Sequence, residues 1–387
     1  MGRINRRQLA IAMAGAAASA AQDRSTEGRA YGGPLEGFED KVDTNLFDPV
    51  RWTISRHDAA PLKLTFRASS RREAEAWQKE LRAKVIELLG GFPQQRLPLR
   101  PQRLEIRQLA TSYSREKFVF ESRPGVWVLG YLLTPLKARR PLPVVVCLPG
   151  HGRGVDDIVG IDQHGNDRTA RVGYQYDFAV QVAEQGLAAV AIEPMAFGCR
   201  RDARTKAKGP EAYACQPAAG SALLLGETMI GWRVFDVMRT IDWIGTRTEL
   251  DANRVGCIGI SGGGTCALFS AALDARIRAT LVSGYLNTFR ASIMSMSHCI
   301  DNYIPGILNW AEMYDIAGLI APRPLFSEAG DRDPIFPVEA AKESFARVKR
   351  VYETFGAPDA AQQEIFSGVH EFHGSRGLRF VGDALQT

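Results

Sequence analysis

The sequence predicts an α/β fold, with a mostly parallel central sheet, helices on both faces and an N-terminal helical extension. Three observations predict it. Short apolar runs alternate with helix-length segments from Pro143 onward, glycines bound those runs, and 387 residues with 45% hydrophobic content can bury one large core.

The elements follow in chain order. Arg3, Arg6 and Arg7 precede an apolar run from Leu9 to Ala20 that ends in the small residues Ala18-Ser19-Ala20. A basic start, a short apolar stretch and a small-residue end make residues 1–20 an export signal, and the paired arginines resemble the twin-arginine type. The run is too short to cross about 30 Å of hydrocarbon. The expectation is cleavage near Ala20, no stable membrane insertion and a periplasmic or secreted product.

Residues 21–103 read as an accessory extension. Their clearest element is an amphipathic helix from Arg71 to Leu89, in which Ala74, Trp77, Leu81, Val85 and Leu88 recur at three- and four-residue steps. Gly90, Gly91 and Pro93 stop it. Residues 104–387 carry the sheet. Leu104–Leu109, Lys117–Glu121 and Val126–Thr134 read as antiparallel strands, and Pro143–Leu148 as a buried strand ending in Pro149-Gly150-His151-Gly152. Strands are then expected at Ala188–Ile192, Val255–Ile260, Ala279–Ser283, Pro324–Glu328 and Gln363–Phe366. Helices are expected at Glu227–Ile244, Gly262–Leu273 and Val338–Phe355. Chemistry-bearing loops should lie at the carboxyl ends of the parallel strands.

A formal charge of +5, with no dense basic run carrying aromatics, argues against nucleic acid as a partner. Of the six cysteines, Cys147, Cys257 and Cys266 fall inside strands or helices and read as small buried thiols. Cys199 and Cys215 bracket a loop and are candidates to pair in an oxidising compartment; Cys299 is the sixth. Their spacing fits no zinc pattern.

Gly259-Ile260-Ser261-Gly262-Gly263 matches G-x-S-x-G. The bare pattern is weak, but it directly follows a strand and directly precedes a helix. That is the setting of a nucleophile elbow, where flanking glycines let strand and helix close on a strained serine. The alternative is a serine N-cap at an ordinary strand–helix turn. A serine hydroxyl needs a base, and an elbow serine is followed along the chain first by its acid and then by its histidine. His298, His370 and His373 follow Ser261. His298 leaves no room for an acid strand before it, so His370, after the last strand, is the expected base and His373 the spare. Gly330-Asp331-Arg332-Asp333-Pro334 offers two acids. Asp333 is expected to orient the imidazole, and Asp331 to cap the turn or pair with Arg332. The oxyanion hole is expected from the backbone N–H of Gly262 and, in the Gly150–Arg153 turn, that of Arg153. His370-Glu371-Phe372-His373 contains the residues of a zinc motif, but its histidines are three apart instead of four, and no metal or cofactor is expected.

These motifs, with Asp333-Pro334-Ile335-Phe336-Pro337, Gly368-Val369-His370-Glu371-Phe372 and the run Asn302–Gly306 through Tyr314–Pro324, resemble the α/β-hydrolase superfamily from about Leu104 to the end. Within it they look most like the acetyl xylan esterase and dienelactone hydrolase-like branch of exported bacterial hydrolases. The resemblance implies a serine carboxylic-ester hydrolase acting on small-molecule or polysaccharide esters, acetyl or methyl. A prolyl-oligopeptidase-type peptidase shares the triad order but usually brings a large gating domain, for which residues 22–100 are too short. A binding protein that has lost the chemistry would not need all of Ser261, Asp333 and His370. Two insertions are expected to wall the pocket. Ala196–Leu225 carries Arg200, Arg201, Arg204, Lys206 and Lys208; Tyr285–Met313 carries Met294, Met296, Tyr303 and Trp310. The basic loop reads first as solvated and second as an attractor of an acidic sugar such as a uronate ester; the Met and aromatic residues read first as core.

Overall fold

A computed structural model of the chain describes residues 32–386 apart from 96, 110, 111, 210 and 211. The expected export segment lies outside the described residues. Contacts divide the chain into a unit ending at Trp52 and a unit from Thr53 onward. Helix α1 (Pro49–Ala59) spans the break.

The second unit is built on a nine-stranded sheet. Its strands are β1 (Gln102–Leu109), β2 (Tyr113–Arg123), β3 (Val126–Pro135), β4 (Leu142–Leu148), β5 (Ala188–Ile192), β6 (Leu250–Ile260), β7 (Ile277–Ser283), β8 (Leu325–Gly330) and β9 (Ala361–Phe366). Their spatial order is β1-β2-β3-β5-β4-β6-β7-β8-β9. β1, β2, β3 and β5 pair antiparallel in sequence, and every pairing from β5 through β4 to β9 is parallel. The helices are α2 (Arg71–Leu88), α3 (Phe178–Glu184), α4 (Ala203–Lys206), α5 (Cys215–Leu224), α6 (Met229–Ile244), α7 (Gly262–Leu273), α8 (Met313–Gly318), α9 (Val338–Thr354) and α10 (Gly377–Gln386). Among the described residues no helix is long and apolar enough to cross a membrane.

The strands sit where apolar runs put them because both faces are covered. Val144 and Val146 of β4 face a core made with α2, α6, α7, α8 and α9. Val145 and Cys147 face the opposite way, against α3 and α10. Alternate residues of one strand thus fill two cores, which is why the run shows no polar alternation. The exposed edge strand β1 carries Arg103, Glu105 and Arg107 instead, and such charges discourage pairing with another chain.

Helix α2 starts where a capping box places it. The Ser70 hydroxyl accepts the Glu73 N–H, and the Glu73 carboxylate accepts the Ser70 N–H. Its apolar stripe is Ala74, Trp77, Leu81 and Val85, all buried in the same core as the sheet, and each large side chain contributes about 1.5–3 kcal/mol of burial. Polar contacts fix its position. Gln78 donates to the carbonyls of Gly318 and Ala321 at 2.9 and 2.8 Å, Arg82 to that of Leu319 at 3.0 Å, and the Phe66 N–H donates to the Asp315 carboxylate at 2.9 Å. Helix α2 therefore packs as a cover on the same core as the sheet.

β4 is flanked by β5 on one side and β6 on the other, so the order of connection reverses around it. At such a switch point the loops leaving the strands diverge and open a crevice at their carboxyl ends. The turn after β4 and the turn after β6 meet there.

Candidate active site

β6 ends at Ile260, and Ser261 turns the chain into α7 with φ 56° and ψ −123°. This backbone is strained for a residue with a side chain. Close packing on both sides enforces it. A Cβ at Gly263 would stand 2.0 Å from the Leu148 carbonyl oxygen, and one at Gly259 would stand 2.1 Å from that of Gly263. The Ser261 N–H donates to the Ser283 carbonyl at 3.0 Å, which ties the elbow to the end of β7. Ser261 is largely buried, and the free N–H groups of the first turn of α7 lie beside it.

The loops after β8 and β9 are laced together. Asp331 N–H donates to the Phe366 carbonyl at 2.9 Å, Arg332 N–H to Gly368 at 3.0 Å, and Gly368 N–H to the Asp331 carboxylate at 3.0 Å. This brings His370 against Asp333, with Nδ1 2.7 Å from Oδ2. The other oxygen of Asp333 accepts the N–H groups of Ile335 and Phe336 at 2.9 and 3.0 Å, so the carboxylate cannot turn away. The imidazole lies between two roughly parallel rings, Tyr174 at 5.8 Å and Phe336 at 5.5 Å. Its Nε2 is buried and has no hydrogen-bond partner within the described residues.

Ser261, Gly262 and His370 line one cleft of about 560 Å³, together with His151, Tyr174, Tyr213, His298 and Phe336. The structure thus brings Ser261, Asp333 and His370 together. It does not bring in the two spares. Asp331 is exposed and pairs with Arg332 at 3.1 Å. His373 stacks on Phe366 at 4.5 Å, outside the cleft. His298 does reach the cleft, where it shares a 2.8 Å hydrogen bond with Ser292 and burial holds it below its ordinary pKa.

Arg153 requires a correction. Its backbone N–H, expected to face the cleft, donates to the Asp157 carboxylate at 2.9 Å, and its guanidinium holds the Ile161 carbonyl at 2.8 Å. The Gly150 N–H is likewise taken, by Gln175 at 2.8 Å. Gly150 and His151 of this turn both pack against the elbow, a Cβ at Gly150 standing 3.1 Å from Ser261 Cβ. A Cβ at Gly262 would stand 2.9 Å from His151 Cε1, and the His151 carbonyl accepts the Tyr174 hydroxyl at 2.7 Å.

Both insertions wall the cleft as expected, the first through Tyr213 and Gln216 and the second through His298, Cys299 and Ile300. Arg200 is committed to Asp236 at 2.8 Å and to the Glu193 carbonyl at 2.9 Å, and Arg201 to the Gly209 carbonyl at 2.6 Å. These two arginines brace the loop and do not face the cleft as anion attractors. Cys199 is exposed and Cys215 buried, both as free thiols. Met294 and Tyr303 line a second cavity of about 420 Å³ with His57 and Phe289, and Trp310 carries the Lys63 and Lys84 ammonium groups over its ring at 4.7 and 4.3 Å.

Beneath the turn after β4 lies Glu193. It accepts the Val155 N–H at 3.0 Å and packs against Gly154 and Gly198, both at positive φ. Burial pushes its carboxyl up to about 8. A carboxyl raised above its unfolded value gives its full stabilisation below about pH 4.5 and loses it as pH rises toward 8. Glu193→Gln mimics the protonated acid. Its melting temperature relative to wild type should rise from pH 5 to about pH 8, by an amount worth a few kcal/mol, and level off above it. A difference that stays flat across thermal melts in this range would refute that reading.

A deeper cluster backs His151. Its Nε2 is 3.3 Å from the Asp301 carboxylate, and although burial opposes the charge, this carboxylate pushes the imidazole up to about 9. Arg233, fully buried, pairs with the same carboxylate and reaches the Cys215 sulfur at 3.4 Å.

Comparison with known proteins agrees with this architecture. The Bacillus subtilis (strain 168) protein YtaP, named as a hydrolase, is 27% identical over 287 residues, spanning 72% of this chain and 89% of its own. A Bacteroides fragilis NCTC 9343 structure, assigned by name to the acetyl xylan esterases, superposes with a TM-score of 0.70 at 22% identity over 82% of each chain. The glucuronoyl esterase from Solibacter usitatus superposes with a TM-score of 0.61 at 16% identity, over 85% of this chain and 98% of that one. The profile of the abhydrolase family matches residues 55–371. With the sheet, the elbow and this match, the chain belongs to the abhydrolase family and has the α/β-hydrolase fold.

Proposed function

We propose that the chain is a serine carboxylic-ester hydrolase acting on acetyl or methyl esters of carbohydrates, exported from the cell. The observation that carries this reading is the strained Ser261 in one cleft with a His370 whose far nitrogen is held by Asp333 at 2.7 Å. His370 Nε2 takes the Ser261 proton as Oγ attacks the ester carbonyl, and Asp333 stabilises the imidazolium. The tetrahedral oxyanion is met by the backbone N–H of Gly262 and, in place of Arg153, that of His151. Collapse breaks the bond to the alcohol oxygen, which leaves with the proton from His370. Water then attacks the acyl-serine and gives a proton to His370; the acyl–Oγ bond breaks, His370 returns that proton to Oγ, and the acid leaves with Ser261 and His370 restored.

The carbohydrate assignment rests on the names of the structural neighbours and on the cleft itself. Its volume suits a sugar ester, and Tyr213, half exposed at the cleft, offers a ring face for a pyranose to lie on. The test is hydrolysis of p-nitrophenyl acetate, acetylated xylan, methyl-esterified pectin and a methyl glucuronate ester, alongside labelling by a fluorophosphonate. The expected results are a label on the Ser261 peptide and turnover of at least one sugar ester. Folded protein that takes no label and cleaves none of the four would sink the proposal.

A further inference from the structure

We propose that His151, Cys215, Cys299 and Asp301 form a binding site for a thiophilic divalent cation, zinc above all, in the wall of the cleft. The four potential ligand atoms lie within 4.8 Å of one another. Around a tetrahedral zinc, with nitrogen and oxygen donors at about 2.0 Å and sulfur at about 2.3 Å, neighbouring donors stand about 3.3–3.8 Å apart. Here His151 Nε2 is 3.3 Å from Asp301 Oδ2 and 3.6 Å from Cys215 Sγ, and Cys215 Sγ is 3.7 Å from Asp301 Oδ2. The Cys299 sulfur lies within 4.8 Å of the other three ligand atoms. Two sulfurs, one imidazole and one carboxylate are a donor set that favours zinc over magnesium or calcium, which take oxygen.

Charge and surroundings fit the same occupant. Two thiolates and one carboxylate carry three negative charges, and a divalent cation with the Arg233 guanidinium supplies three positive ones. A buried site that balances avoids the several kcal/mol that an uncompensated buried ion costs. Arg233 donates to both Asp301 and Cys215 and is itself anchored on the Met195 carbonyl, at 2.8 and 3.1 Å, so it orients two of the ligands from behind. Four protein ligands close the coordination sphere. The ion would act as a clasp between three segments: the turn after β4, the start of α5, and the loop entering the 3-10 turn Ile300–Asn302.

Cobalt(II), which reports tetrahedral thiolate coordination by colour, is the first probe. Titrated into reduced, metal-free full-length protein, it should bind one equivalent and give a sulfur-to-cobalt charge-transfer band that zinc abolishes. The band should be lost in Cys215→Ala and in Cys299→Ala and kept in Cys199→Ala, whose thiol is exposed elsewhere. Zinc should raise the melting temperature of wild type and Cys199→Ala only. X-ray absorption of the wild-type zinc form needs no variant, and should show two sulfur and two lighter neighbours. The proposal is overturned if reduced wild type gives no charge-transfer band, if the band survives both substitutions, or if the zinc shell holds no sulfur. A disulfide between Cys215 and Cys299 whose reduction yields protein without the cobalt band overturns it equally.

Discussion

Ser261→Ala should reduce ester turnover about ten-thousand- to million-fold while the protein melts within a few degrees of wild type. The large loss follows from chemistry: without Oγ no acyl-enzyme forms, and water must attack directly with whatever the oxyanion donors and binding still supply. The small change in stability follows from packing. The strain at φ 56° is imposed by the contacts of Gly259 and Gly263, and removing one hydroxyl leaves those contacts in place. Turnover of p-nitrophenyl acetate and a thermal melt, measured on the same preparation, separate the two effects. Activity within tenfold of wild type in a folded variant would mean that another group carries the nucleophile.

His370→Ala should cost a thousandfold or more, and His373→Ala very little. Both histidines follow the last strand and are separated by only two residues; the sequence favours His370, which comes directly after the strand. Three dimensions separate them. His370 is held by Asp333 at 2.7 Å between the Tyr174 and Phe336 rings, whereas His373 stacks on Phe366 and gives its backbone N–H to Glu328 at 3.0 Å. The decisive readout is the ratio of kcat/KM between the two variants on one sugar ester. Equal losses would indicate that the whole loop has moved, and a larger loss at His373 would reassign the base.

The parts of this site that could be read from sequence are those set by local chain geometry. A strand, a serine flanked by glycines and a helix in immediate succession specify the elbow, and the position of Asp333 three residues beyond Gly330 follows from the strand it leaves. What escaped reading depends on contacts between distant residues. Tyr174 and Phe336 flank the imidazole, yet neither lies in a motif. Arg153 looked free because nothing in a glycine-rich turn announces that the Asp157 carboxylate four residues on will take its N–H. That spacing was the one signal available. His151, Cys215, Cys299 and Asp301 are spread over 150 residues of sequence, and no periodicity links them. The α2 stripe showed that one face is buried, but only the structure shows that the covering partner is the sheet itself.

The polar anchors of α2 have a consequence for the growing chain. Gln78 finds its acceptors about 240 residues downstream, at Gly318 and Ala321. At about 5–20 residues per second, a ribosome needs roughly 10–50 s to supply them. During that interval Trp77 has only nearby Leu64 and Phe66 as native partners, and the α8 segment that packs on it at Gly318 is still missing. Helix α2 is thus made early but gains its Gln78 anchors only after α8 and the turn beyond it have emerged, so its native seat is completed late in vectorial synthesis.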